Sequence, residues 1–158
     1  MTDHAADLPK TQPWVALALG TFVLNWIWEM LQAPLYASMR GMAPGKATWL
    51  CTVASGGDVV IMLVAYSAVA LLVGSRAWFV HPRPGRVAVY LAVGLLITVA
   101  AEMLSIHRWG RWSYGPSMPL LLGVGVSPLA QWVVVPLVML GVAKRYLRRG
   151  AVKPLTAP

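Results

Sequence analysis

Apolar residues run almost without interruption over 14–36, 53–74, 87–106 and 120–143, and polar residues gather between these stretches and at both ends. Each stretch is close to the ~20 residues with which a helix crosses a ~30 Å hydrocarbon core. The pattern predicts an all-α fold: a bundle of four transmembrane helices, forming one integral membrane domain over 1–158. Prolines and glycines in "RGMAPGK", "HPRPGR" and "HRWGRWSYGPSMP" punctuate the connections, as expected where helices end. The first stretch contains Glu29, outruns a secretory h-region and precedes three more, so it is read as a retained helix. Pro34 predicts a kink or an early end for it. Pro128 and Pro136 predict a distorted fourth helix.

The polar positions inside these stretches keep helical spacing. Asn25, Glu29, Gln32 and Tyr36 follow one another at intervals of four, three and four, which places them on one face. Thr98, Glu102 and Ser105 repeat the pattern in the third helix and continue toward Trp109. Ser55 stands three residues before Asp58, beside Gly56 and Gly57, which are expected to let another backbone approach. In the fourth helix Ser127 and Gln131 share a face. Every helix is therefore expected to turn a polar face inward.

Composition agrees, since 58% of residues are hydrophobic and 11% charged, far from the balance of a soluble globular domain. The net charge of +8 matters through its distribution. Lys10, Arg76, Arg83, Arg86, Lys144, Arg145, Arg148, Arg149 and Lys153 fall on one side of a four-span chain; Arg40, Lys46, Arg108 and Arg111 fall on the other. The positive-inside rule predicts both termini in the cytoplasm, N-in and C-in. The basic tail 144–158 then reads as an anchor on anionic lipid, with no nucleic-acid partner. Trp14, Trp49, Trp78, Trp109 and Trp112 fall at span ends, where aromatic belts form. The lone Cys51 excludes an internal disulfide, and no Cys/His spacing suggests a metal site.

Two of the five acidic residues, Asp3 and Asp7, lie in the N-terminal tail. With this topology the other three, Glu29, Asp58 and Glu102, share one slab near the outer leaflet, with Asp58 about one turn into the second helix. An ionisable group at bilayer depth costs ~3 kcal/mol or more on insertion scales, so three need partners or a cavity. His107, Arg108 and Arg111 are the ion-pair candidates. A carboxyl in a dry pocket favours its proton-bearing form, which makes the three candidate catalytic acids and bases. Asn25, Trp28, Gln32, Tyr36, Trp112, Tyr114 and Gln131 are the candidate substrate-binding residues, with "RWGRWSYGPSMP" as either an interfacial plug or, slightly favoured, a lid over the acids. Plainer roles stand beside these. Glu29 could hold helices together, Asp58 could cap its helix, and Glu102 could snorkel toward Arg108.

The segments "NWIWEMLQAPLY", "CTVASGGDVVIM", "AEMLSIHRWGRWSYGPSMPLL" and "GVGVSPLAQ" together resemble a family of small bacterial multi-pass inner-membrane proteins over nearly the whole chain. That likeness implies a location but no activity. Asn25, Trp28 and Glu29, followed by Asp58, are distantly similar to the Asn-x-x-Trp-Glu helix and following aspartate of fungal transmembrane terpene cyclases. The segment from Glu102 to "GRWSYGPSMP" is similar to a Gly-aromatic-Tyr loop of carotenoid hydratases, relatives of the carotenoid cyclases. Those enzymes have more spans, so self-assembly or another subunit is implied. The likeness to them also implies cofactor-independent acid catalysis on a lipid-soluble, isoprenoid-like substrate. A small transporter or proton-relay subunit, and a scaffold whose polar stripe binds partner helices, are the alternatives.

Overall fold

The computed structural model describes residues 12–150; Asp3, Asp7, Lys10 and Lys153 lie outside the described residues, as do the side chains of Trp14, Arg148 and Arg149. Helix α1 covers Gln12–Gln32, α2 covers Pro44–Val73, α3 covers Pro84–Met103 and α4 covers Val126–Gly150. Each helix packs on its neighbours in a ring: α1 on α2, α2 on α3, α3 on α4, and α4 back on α1. Three helical segments, Pro44–Val73, Pro84–Arg108 and Val126–Arg145, are long and apolar enough to cross a membrane. The protein is a helical membrane protein.

The helix boundaries differ from the hydropathy pattern for local reasons. α1 stops at Gln32, where Ala33–Leu35 tightens into a 3-10 turn around Pro34. α2 begins nine residues before the expected 53, because Pro44 occupies the first turn, where its missing N–H costs nothing. It runs for 30 residues, about 45 Å, until Gly74 turns into the left-handed region at φ 63° and caps Ala70 and Leu71. α3 likewise opens on a proline, Pro84. It ends in a π-turn, Leu104–Arg108, in which Trp109 N–H reaches back to Leu104 O at 3.0 Å.

The expected start of the fourth helix at 120 is wrong. Leu120–Leu121 (β1) and Val124–Gly125 (β2) form an antiparallel hairpin instead, with Leu122 and Gly123 both at positive φ. Pro128 consequently falls in the first turn of α4, where it is harmless; only Pro136 lies inside the helix.

Ala65, Val69, Trp78, Phe79, Tyr90 and Ala143 form a buried apolar cluster at the end of the bundle that holds the α2–α3 connection, beside a cavity of about 380 Å³. Trp78, expected in an aromatic belt, is buried there and donates to Tyr66 O at 3.3 Å. Trp49 and Trp109 are exposed. At the opposite end the polar faces of the helices meet.

Candidate functional site

The site is built around Gln131 of α4, which is 2% exposed. Its Nε2 donates to Asn25 Oδ1 on α1 and to Asp58 Oδ2 on α2, each at 2.9 Å. Its Oε1 accepts from Gln32 Nε2 at 3.1 Å, and Gln32 also donates to Glu29 Oε1 at 2.7 Å. One buried amide thus ties three helices and two carboxyls together. Asn25 is held in turn by Thr21 O at 2.9 Å, and Ser55 by Cys51 O at 2.7 Å.

Glu102 of α3 occupies the same end of the bundle, within electrostatic reach of Glu29. Its Oε2 accepts from Tyr114 OH at 2.5 Å and from Trp112 Nε1 at 3.3 Å. The segment carrying both donors is pinned to the residues after α1. Ala37 N–H donates to Ser113 O at 2.9 Å, Gly115 N–H donates to Leu35 O at 2.8 Å, and the rings of Tyr36 and Tyr114 lie 5.5 Å apart. A Cβ at Gly115 would sit 2.9 Å from Leu35 O, so the close approach requires glycine. Burial, and then the hydrogen bond to the Glu102 carboxylate, push the Tyr114 phenol above the ordinary tyrosine range. Tyr114 therefore remains a donor across any physiological pH.

Beneath this segment lies a cavity of about 660 Å³, inside the ~300–1,000 Å³ span of small-molecule pockets. Glu29, Asp58 and Glu102 all line it, together with Gln32, Tyr36, Trp112 and Gln131. Among the described residues none of the three carboxyls meets a basic side chain.

Several expected placements need correction. Asp58 stands fourteen residues beyond Pro44, deep in α2, so it caps nothing. His107 and Arg108 are exposed on the π-turn and pair with no acid; Arg111 reaches the cavity rim but lies over the Trp109 ring at 4.9 Å. Trp109 itself is swung off the polar face of α3. Trp28 donates to Ser127 Oγ at 3.3 Å and lies outside the cavity wall, as does Asn25. Gly56 and Gly57 admit no other backbone, since a Cβ at either would meet nothing within 4 Å.

The wall residues outside the expected site set include Thr98 and Trp132. Thr98 stands four residues before Glu102, a spacing that signals a shared face. Trp132 gives no such signal: its indole is seated against Gly94, where a Cβ would come within 2.2 Å of the ring.

Comparison of the chain with protein-family models, curated proteins and solved structures finds no match.

Proposed function

We propose that this chain is an acid–base enzyme of the membrane that acts on a lipid-soluble, isoprenoid-like substrate inside the Glu29–Asp58–Glu102 cavity. The observation that carries this is a single cavity lined by three carboxyls from three helices with no basic partner among the described residues. Intramembrane acids so grouped are site candidates by default.

In the proposed step Glu29 gives its proton to an alkene carbon, forming a C–H bond and leaving a carbocation on the neighbouring carbon. Trp112 and Trp132, both in the wall, offer aromatic faces to that cation. Glu102 or Asp58 then removes a proton from an adjacent carbon, and its C–H electron pair becomes the new double bond. The net result is isomerisation, or cyclisation where the π pair of a second double bond in the same substrate first attacks the cation, forming a C–C bond and moving the charge to the carbon that then loses a neighbouring proton; neither needs a cofactor. Tyr114 and Trp112 hold the base in place and cover the cavity.

Two observations weigh against the alternatives. The opposite end of the bundle, around Trp78, Phe79 and Tyr90, is apolar, and the cavity of about 380 Å³ there is lined mostly by apolar side chains, which among the described residues leaves a transporter no continuous polar path. Asn25 and Gln32 are buried and each bonded to buried Gln131, so among the described residues this polar stripe faces inward and not toward a partner helix.

α1 supplies the fourth span in this proposal, and the distribution of Lys and Arg supports cytoplasmic termini in a bacterial inner membrane. A Lys153→Cys variant should resist impermeant thiol reagents in intact cells; labelling there would reverse the orientation.

The catalytic test uses proteoliposomes in D2O with a panel of prenyl polyenes, read by mass spectrometry. Deuterium should enter a product, and Glu29→Gln should lower the rate by about 10²-fold or more. A folded Glu29→Gln protein with undiminished incorporation removes Glu29 as the donor, and no incorporation from any polyene removes the catalytic proposal.

A further inference from the structure

Three polar groups in the cavity wall lack hydrogen-bond partners. Gln32 spends its amide nitrogen on Glu29 and Gln131, and its Oε1 has no partner. Thr98 Oγ1 has none either. Trp132 turns its N–H toward Asp58 without completing a hydrogen bond. The three side chains are 4%, 6% and 2% exposed, and all three line the same cavity from α1, α3 and α4. Most buried polar groups in proteins are paired, so three unpaired ones around one space call for an explanation.

Their chemistry narrows what could pair them. Gln32 Oε1 only accepts, Trp132 Nε1 only donates, and Thr98 Oγ1 does either. A bare hydrocarbon satisfies none of them. An ammonium group donates but leaves Trp132 unpaired; a carbonyl accepts but leaves Gln32 unpaired. A hydroxyl does both.

The cavity also reaches the outside of the bundle. Leu50, Val53 and Gly57 line it while exposed on the outer side of α2, and Gly57 adds no side chain to the wall. A chain attached to the hydroxyl could therefore pass beside Gly57 into surrounding lipid.

We infer that the cavity receives a long-chain alcohol, its hydroxyl held by Gln32, Thr98 and Trp132 and its hydrocarbon leading out beside Gly57. This rests on the proposed function only for the location of the site, since binding an alcohol requires no turnover.

The test measures retention of farnesol, farnesylamine and farnesene on the purified full-length protein by native mass spectrometry. Farnesol should be retained about tenfold better than farnesene, and better than the amine. Thr98→Val and Trp132→Phe should each cut the ratio of farnesol to farnesene retention threefold or more, and Thr98→Ser should keep it. Filling the exit with Gly57→Leu should weaken farnesol and farnesene alike. Equal retention of alcohol and hydrocarbon overturns the inference, as does a preference for the amine, no retention of any probe, or an advantage untouched in both Thr98→Val and Trp132→Phe. Farnesol retained without deuterium incorporation from any polyene sinks only the catalytic proposal.

Discussion

Gln131 is the residue on which the arrangement turns, because one side-chain amide meets Asn25, Asp58 and Gln32 from three directions. Replacing it with leucine keeps much of the volume but strands a carboxyl and two amides in a buried place. Each stranded group carries its own desolvation penalty, so Gln131→Leu should cost on the order of 3 kcal/mol. Unfolding in mixed micelles measures this directly, and a loss under about 1 kcal/mol would mean that water replaces the amide without difficulty. The α1 side of this hub is legible in the sequence, since Asn25, Glu29 and Gln32 repeat at helical intervals. Its partners are less so. Asp58 is expected near a helix start because the apolar stretch begins at 53, whereas Pro44 in the first turn starts the helix early. His107 and Arg108 look close enough in sequence to neutralise Glu102; the π-turn sends them outward, a local geometry that hydropathy does not encode.

Among the helices, the contact between α3 and α4 depends on a missing methyl group. The Trp132 ring occupies the space that a Cβ at Gly94 would need. Gly94→Ala should therefore force the indole or the helix aside and destabilise the bundle by about 1–3 kcal/mol. It should also disturb the cavity wall, visible as a shift in Trp132 fluorescence against a Trp132→Phe background; unchanged emission and stability would show that α3 yields cheaply. Nothing in the chain announces this pairing, because complementarity between two helices is a tertiary property. The β1–β2 hairpin escapes a sequence reading for another reason. "LLLGVGV" reads as a continuous apolar run, and its turn is built by Leu122 and Gly123, not by the polar residues that usually mark one.

On the scale of the whole molecule, the fold has an apolar end and a polar end covered by the segment that carries Trp112 and Tyr114. The cover is coupled to alkaline pH through Tyr114. Its phenol holds the proton more tightly in the folded protein than in the unfolded chain, so the stabilisation is complete below pH ~10, the ordinary tyrosine value. As pH climbs beyond that value the unfolded chain loses the proton first, and the stabilisation declines. Tyr114→Phe should remove this component, giving a shallower fall in stability above pH ~10 than the parent protein shows. Identical slopes would mean that the phenol contributes nothing to holding the cover closed.

The length of α2 has a further consequence. At ~45 Å it outreaches a ~30 Å hydrocarbon slab by half. It must therefore lean or raise its first turns among the headgroups. Membrane thickness then sets how deep Gly57 sits relative to the acyl chains. A host with thicker or thinner lipid would shift the doorway without altering a residue.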